Sequence, residues 1–223
     1  MIRNVYIYCE GQTEEAFVNE ILAPYLRQLK IYAWPIIAAT KRSSRKKYRG
    51  GIMRYDRIRH ELRMLCKGHK NELVTTMIDY YGLPKDAPGL DKSTGNTQQA
   101  IIEVEDAIGG DINEPNLLPY LQRHEFEALL FTDPHAFGII TDDSIALERI
   151  AQVRKEFATP EDINNSFETA PSKRITQIIP TYKKIIDGIA VAEMVGIDAM
   201  IHECPHFSSW ISRIRASFEE EKN

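Results

Sequence analysis

The chain has 223 residues and a formal net charge of −4, with 43% hydrophobic and 27% charged residues. These values are typical of a globular protein that buries a sizeable core, and they exclude a disordered tail, a fibre or a uniformly basic surface. No apolar stretch approaches the length of a membrane span, and the start lacks the layout of a signal peptide. Three widely spaced cysteines indicate neither a disulfide framework nor a zinc site, so we expect a reducing, cytoplasmic setting.

Residues 1–131 alternate between strand-like and helix-like segments. The predicted strands are at 4–9, 31–39 and 73–78, and the predicted helices are at 14–30, 55–67 and 98–108. We expect Pro24 to kink or break the first helix, Gly68 to end the second and Gly109-Gly110 to end the third. Residues 117–131 begin as a strand and are expected to turn helical near Glu127. This alternation predicts an α/β fold with a mostly parallel central sheet flanked by helices.

Beyond Thr132 the strand signals fade. Helices are predicted at 144–157, 173–187 and 206–219, with a polar loop at 159–172. No linker rich in Pro, Gly or Ser separates this part from the rest of the chain. We therefore predict an α/β core at 1–131 and a helical elaboration at 132–223 that packs on it.

Acidic residues follow three of the predicted strands. Glu10 comes after the first strand, Asp79 ends the third, and Glu125 lies within or after the fourth. Parallel strands end at the same edge of a sheet, so we expect these carboxylates to lie close together. Clustered carboxylates repel unless a cation lies among them, and oxygen ligands favour Mg²⁺ or Mn²⁺ over zinc. Glu14 and Glu15 follow Thr13, a good N-cap, where acids also suit the positive end of a helix dipole.

Positive charge is concentrated in a basic segment at 41–54, although the whole chain is acidic. Its basic residues are Lys41, Arg42, Arg45, Lys46, Lys47, Arg49 and Arg54. One interpretation is a solvated loop, which is the commoner meaning of a run of charge. The other is a loop that contacts the phosphates of nucleic acid, because Lys and Arg gain free energy from counterion release there.

The ordered motifs resemble a bacterial family of TOPRIM-like proteins. They are Cys9-Glu10-Gly11-Gln12-Thr13-Glu14, Ile78-Asp79-Tyr80-Tyr81-Gly82-Leu83-Pro84 and Arg123-His124-Glu125-Phe126-Glu127-Ala128-Leu129-Leu130-Phe131, with Ala170-Pro171-Ser172-Lys173-Arg174 further on. TOPRIM is the metal-binding α/β module of topoisomerases, primases and the overcoming-lysogenization-defect nucleases. The resemblance implies a TOPRIM-like core and a role in defence against mobile DNA. It also implies a separately encoded ABC-type or AAA-type ATPase partner, since this chain has no Walker A pattern of its own.

The resemblance also implies metal-binding roles. Glu10 would hold metal or transfer protons, Glu14 would add a ligand, and Asp79 would be the first acid of an Asp-x-Asp pair that binds Mg²⁺. Tyr81 stands where the second acid is expected, and a tyrosine is a poor Mg²⁺ ligand. A complete site would therefore need Glu125 or Glu127.

Lys173 resembles the late lysine that some TOPRIM nucleases place beside the scissile phosphate, where a fixed cation stabilises developing charge. It also fits a helix start that follows Ser172 as an N-cap. Glu127 has an alternative as well, because Arg123 and Glu127 would form a surface ion pair if 123–131 were helical.

The histidines and tyrosines near these motifs have structural alternatives too. His124 is either a general base or ligand, or a hydrogen-bonded structural residue. His202 and His206 have the spacing of a metal pair, but Pro205 breaks the helical register that such a pair requires. Tyr80 and Tyr81 either stack on a base or ribose or simply pack at the sheet edge.

The leading hypothesis is a Mg²⁺- or Mn²⁺-dependent nuclease that acts on DNA or RNA. Its predicted catalytic residues are Glu10, Asp79, Glu125 and Lys173, and its predicted metal ligands are Glu10, Glu14, Asp79, Glu125 and Glu127, with nucleic acid guided by the basic segment. The alternative is a non-catalytic TOPRIM-like subunit that binds an ATPase or nucleic acid. A third hypothesis, a nucleotidyl-transfer or small phosphoester enzyme, uses the same acids and leaves the basic segment without a role.

Overall fold

The structure is a computed structural model, and it describes residues 3–38, 54–91, 97–164 and 169–219. All basic residues of the basic segment except Arg54 lie outside the described residues. Their predicted contact with nucleic acid therefore stays a prediction.

A parallel sheet forms the centre of the described part of the chain. Its strands are β1 (Arg3–Cys9), β2 (Ile31–Ile37), β3 (Leu73–Asp79), β4 (Leu117–Leu118) and β5 (Leu121–Gln122). β1 lies between β2 and β3, and the two short strands pair with successive parts of β3. Every pairing in the described residues is parallel. The predicted α/β fold with a mostly parallel sheet is confirmed.

Helices surround this sheet. They are α1 (Gln12–Phe17), α2 (Ala23–Gln28), α3 (Tyr55–Gly68), α4 (Gln98–Ile112), α5 (Ser144–Lys155), α6 (Pro171–Ile178), α7 (Ile186–Val195), α8 (Ile197–Glu203) and α9 (Pro205–Ala216). Short 3₁₀ helices occupy Tyr80–Gly82, Phe126–Thr132, Pro134–Ile139 and Pro160–Asp162. Within the described ranges, no helix has both the length and the apolar character needed to cross a bilayer.

Pro24 is accommodated by a π-helical turn rather than by a break. The turn Val18–Leu22 joins α1 to α2, and the backbone N–H of Ala23 bonds to the carbonyl of Val18, five residues earlier. Pro24 then occupies the first turn of α2, where its missing N–H costs little. The helical run predicted at 14–30 is therefore unbroken at Pro24 and extends from Gln12 to Gln28 in the structure.

The prediction that α4 ends at Gly109-Gly110 is wrong. The helix continues to Ile112 and ends at Asn113, which adopts a φ of 53° and donates its N–H to the carbonyl of Gly109 at 2.8 Å. Ile108 and Ile112 are both buried, so their packing outweighs the helix-breaking tendency of the two glycines.

The prediction of one helix at 173–187 is also wrong. α6 ends at Ile178, two residues before Pro180, because proline has no N–H to donate and its ring clashes with the preceding turn. The sequence analysis did not predict α7 and α8. α7 contains apolar residues on most sides, and so it lacks the amphipathic stripe that marks a surface helix.

The two faces of the sheet pack against different helices. Val5, Ile7 and Cys9 belong to the cluster that also contains the residues of α1, α2, α7 and α9, whereas Tyr8 belongs to a second cluster with α3 and α4. The predicted elaboration at 132–223 thus shares its hydrophobic core with the strands. Direct bonds reinforce this packing, since the Trp210 Nε1–H donates to Thr75 Oγ1 of β3 at 2.9 Å.

Candidate functional site

The carboxyl ends of β1 and β3 bring Glu10 and Asp79 together. The two strands are neighbours, with Cys9 paired to Met77, and the backbone N–H of Glu10 donates to the carbonyl of Met77 at 3.3 Å. Apolar, buried strand residues lead into both acids, so the sheet fixes where the chain delivers them. The predicted juxtaposition of these two strand ends is present in the structure.

Glu10 is a half-buried residue whose Oε2 atom is buried in a tight space. Burial, together with the charge of Glu14, raises its pKa to about 7. Its Oε2 atom receives no hydrogen bond from any described residue. Gly82 lies directly against it, because a Cβ added at Gly82 would approach Oε2 to 2.1 Å. Only glycine leaves room for the Glu10 carboxylate here.

Glu14 completes the start of α1 and faces the same group of acids. Its Oε2 atom accepts a hydrogen bond at 2.9 Å from the backbone N–H of Gly11, the N-cap residue. Gly11 is therefore the N-cap of α1, and the prediction that Thr13 has this position is wrong, because Thr13 lies inside the helix. The buried Glu14 side chain also lies close enough to Glu10 and Asp79 for its charge to raise the pKa of each.

Asp79 anchors the segment that follows β5. Its Oδ1 atom accepts a hydrogen bond at 2.9 Å from the backbone N–H of Phe126, the first residue of a 3₁₀ helix. Burial and the neighbouring acids raise the pKa of Asp79 well above its ordinary value, although the charge of Lys184 acts in the opposite direction. Asp79 therefore ties the sheet to the segment that carries the next two acids.

Glu125 links that segment to α6. Its Oε2 atom accepts a hydrogen bond at 3.0 Å from the backbone N–H of Ser172 in the first turn of α6. The residue before it, His124, has a φ of 64°, a left-handed conformation that is uncommon outside glycine. The backbone turn at His124 thus precedes the acid that bridges the predicted core and the C-terminal helices.

Glu127 is the most deeply buried acid of the group, with 0% exposure. Neither carboxylate oxygen has a hydrogen-bond partner of good geometry among the described residues. Burial raises its pKa to about 7, and the charge of Lys184 opposes that rise. The alternative of a surface ion pair with Arg123 is wrong, because Arg123 pairs with Asp162 at 2.7 Å.

Lys184 supplies a positive charge to these acids. Its Nζ atom lies 3.2 Å from Glu127 Oε2 and 3.7 Å from Asp79 Oδ2. Burial disfavours the charged form, but the carboxylates around it, above all Asp79 and Glu127, raise the pKa of Lys184 above its ordinary value. Its side chain as a whole keeps 41% exposure. We call Glu10, Glu14, Asp79, Glu125 and Glu127, with Lys184, the acid cluster.

Lys184 was not predicted from the sequence, whereas Lys173 was predicted as the catalytic lysine. Lys173 is exposed on α6, and no ion pair joins it to any described residue. The available signal for Lys184 was Pro180, because a helix that stops before Pro180 leaves 179–185 as a turn able to fold back on the strands. Sequence spacing alone does not show where that turn goes.

Tyr81 and His124 have partners of their own. The Tyr81 hydroxyl accepts a hydrogen bond from Asn164, and its ring lies 5.4 Å from that of His124. His124 is buried, and this burial lowers its pKa to about 4, so the imidazole is neutral at pH 7. These contacts give both residues a structural role beside the acid cluster.

His202 and His206 do not form a pair. His206 is buried at the start of α9, with Nε2 2.9 Å from Glu105 Oε1, whereas His202 is exposed in α8 and contacts Glu203. Pro205 begins the new helix between them. The prediction that this proline breaks the register of a metal pair is confirmed.

The acid cluster fits a hard divalent cation in its chemistry. Its possible ligand atoms are carboxylate oxygens, and two of them, Glu10 Oε2 and Glu127 Oε1, are buried without a hydrogen bond or ion pair to any described residue. The geometry is less complete, because no three acidic, histidine or cysteine side chains of the described ranges are arranged to hold one metal ion together. Lys184 already provides part of the charge that such an ion would supply.

A family model described as "Domain of unknown function (DUF4276)" matches residues 9–215 of the chain. This match begins at Cys9, the last residue of β1, and includes the acid cluster, α1 to α8 and nearly all of α9. No curated protein and no solved structure matches the chain.

Proposed function

The chain belongs to the DUF4276 family, and from that premise we propose that its acid cluster is the centre of a Mg²⁺- or Mn²⁺-dependent nuclease acting on DNA or RNA. One observation carries the proposal. Five carboxylates surround the ends of β1 and β3, and Glu10 Oε2 and Glu127 Oε1 are buried with neither a hydrogen bond nor an ion pair to any described residue. A purely structural core gains nothing from such oxygens, since an unpaired buried polar group costs about 1–3 kcal/mol.

The acids divide into two groups by their protein contacts. Asp79, Glu14 and Glu125 each accept a backbone hydrogen bond, so their carboxylates are oriented in advance. Glu10 and Glu127 have oxygens left for a ligand. We propose that Glu10, Glu14 and Asp79 hold the metal ion. Glu125 and Glu127 would supply the carboxylate that is missing at position 81, where a tyrosine stands in place of the second acid. Bound Mg²⁺ would make an attacking water more acidic and neutralise the charge of the leaving oxygen.

The remaining chemistry falls to this chain's own side chains. Glu10 Oε2, which receives no hydrogen bond from any described residue, would accept a proton from the attacking water. Lys184 places its ammonium beside Asp79 and Glu127, where it would stabilise negative charge on a phosphoryl oxygen. We assign this role to Lys184 in place of Lys173.

Cleavage assays on matched variants test the proposal. Labelled DNA and RNA are incubated with the protein and Mg²⁺, Mn²⁺ or EDTA, alongside Glu10→Gln, Asp79→Asn and the control Glu15→Gln. Glu15 shares the first turn of α1 but lies outside the acid cluster. We expect metal-dependent cleavage that falls about 100-fold or more in the first two variants and stays unchanged in the control. A rise in melting temperature with added Mg²⁺, absent in Asp79→Asn, is the second readout.

Absence of metal-dependent cleavage, or equal cleavage by all variants, would contradict the proposed nuclease activity.

One feature favours a second candidate, a non-catalytic subunit of an ATPase complex: Lys184 already neutralises part of the acid cluster without any metal. That candidate predicts stable binding to a separately encoded ABC-type or AAA-type ATPase without cleavage. Both candidates suit a cytoplasmic protein that acts in defence against mobile genetic elements.

A further inference from the structure

A cleft of about 250 Å³ opens between α5 and α6, apart from the acid cluster. It is lined by Arg149, Gln152, Val153, Arg174, Gln177 and Ile178. Three of these residues come from each helix, in the same order and with the same spacing. The lining therefore combines two guanidinium groups with two carboxamides, all of which donate hydrogen bonds.

The two helices carry the same short pattern. α5 contains Arg-Ile-Ala-Gln-Val at 149–153, and α6 contains Arg-Ile-Thr-Gln-Ile at 174–178. The second residue of each pattern, Ile150 or Ile175, is fully buried in the main core cluster. In each helix the arginine, the glutamine and the last apolar residue lie at positions i, i+3 and i+4, and so they share the face that lines the cleft. The buried isoleucine at position i+1 packs into the core and helps to fix the orientation of that face.

The charges on this cleft are not balanced within the described part of the chain. None of the residues that line it is acidic, and neither arginine forms an ion pair with a described residue. Arg174 is held in place by a hydrogen bond from Nε to the carbonyl of Thr169 at 2.8 Å and by stacking over the Phe157 ring at 5.3 Å. Its terminal N–H groups remain available, and two like charges facing one cleft favour an anion between them.

The cleft lies close to the acid cluster along α6. Ser172, which donates its N–H to Glu125, precedes Arg174 by two residues. One helix thus contacts an acid of the proposed cleavage site through Ser172 and contributes Arg174 to the cleft about 3 Å further along its axis.

We infer that the cleft between α5 and α6 binds a phosphate group through Arg149, Arg174, Gln152 and Gln177. Planar guanidinium groups bind phosphate oxygens in pairs, and carboxamide N–H groups add neutral donors. The phosphate is either a backbone phosphodiester of a polynucleotide or a free phosphate ligand. The polynucleotide source rests on the proposed nuclease function and would make the cleft an anchor for the strand beside the cleavage site.

Binding measurements without metal test the inference. The probes are a fluorescein-labelled oligonucleotide, inorganic phosphate and adenosine monophosphate, in buffer with EDTA so that cleavage does not interfere. The variants are Arg149→Gln and Arg149→Lys in the full chain. Arg149 is exposed and unpaired in the described structure, so its loss spares the fold, which a melting curve checks. The matched control is Arg27→Gln, an exposed arginine near the far end of α2.

If the bound phosphate belongs to a polynucleotide, we expect Arg149→Gln to weaken oligonucleotide binding about 5- to 20-fold. The same variant should reduce the slope of log K against log salt concentration by about 1, whereas Arg149→Lys should keep the wild-type slope. For a free ligand, inorganic phosphate or the nucleotide binds the wild type and is lost in Arg149→Gln, with oligonucleotide binding unchanged. Both results support a phosphate site. If Arg149→Gln matches Arg27→Gln with every probe, the inference is overturned. An absence of metal-dependent cleavage would contradict the proposed nuclease function without affecting the conclusion drawn from these binding measurements.

Discussion

Gly82 shows how a single residue without a side chain makes room for the acid cluster. The Glu10 carboxylate occupies the space that a Cβ at Gly82 would need, with Oε2 only 2.1 Å from that position. Gly82 has no positive φ, so its role is one of space and not of backbone conformation. An alanine at Gly82 must push the buried carboxylate out of place.

We therefore predict that Gly82→Ala lowers the free energy of unfolding by about 1–3 kcal/mol, as expected for overpacking. In a Glu10→Ala background the same substitution should cost less than about 0.5 kcal/mol, because the obstructing group is gone. Chemical denaturation of the four proteins in this cycle measures the difference. Gly68→Ala is the control, since nothing lies within 4 Å of an added Cβ there. Equal costs in both backgrounds would show that Glu10 and Gly82 do not compete for space.

At the scale of single residues, the sequence predicted the acids better than their partners. Glu10 and Asp79 could be placed because the ends of adjacent parallel strands must meet. Lys184 could not, because its position depends on how the turn after Pro180 packs back against the strands. A turn of this kind has no periodicity from which its direction can be predicted.

α4 shows how packing decides the length of an element. The helix passes through Gly109 and Gly110 because Ile108 and Ile112 are buried on either side of them. Each glycine in a helix interior weakens the helix by about 0.5–1 kcal/mol relative to alanine. The tertiary contacts of α4 offset this cost.

Replacing Gly110 by alanine should therefore stabilise the protein by about 0.5–1 kcal/mol, because no atom lies within 4 Å of the added Cβ. Thermal and chemical unfolding measure the gain. Gly89→Ala provides the contrast, since Gly89 has a φ of 82° and an added Cβ would approach Ala107 Cβ to 2.9 Å. That variant should be destabilised. A loss of stability in Gly110→Ala would mean that α4 does not continue to Ile112.

Across the whole molecule, α9 joins the C-terminal helices to the sheet. Trp210 stacks on Tyr120 with ring centroids 4.2 Å apart and donates to Thr75 in β3. Both oxygens of the buried Glu161 accept backbone N–H groups at the start of α9, at 2.8 and 3.0 Å. Residues predicted to belong to a core and to an elaboration thus share one buried network.

Two tryptophans test this packing. Trp210 is 1% exposed and Trp34, on β2, is 51% exposed. We predict that Trp210→Ala costs about 3–5 kcal/mol of unfolding free energy, whereas Trp34→Ala costs less than about 1 kcal/mol. Urea denaturation monitored by circular dichroism measures the change in unfolding free energy for each variant, provided that each unfolds in a single transition. Similar costs for the two variants would contradict a core shared between the strands and α9.

The sequence by itself determined the three longer strands, the mostly parallel pairing of the sheet, and the acids Glu10 and Asp79 at the ends of two strands. These features follow from local apolar runs and from the rule that parallel strands end at one edge. Only the tertiary structure decided that Lys184 lies among the acids, that Gly82 leaves space for Glu10, and that the matching faces of α5 and α6 share a cleft. Each of these three features depends on contacts between segments that are far apart in the sequence, and local sequence patterns do not predict such contacts.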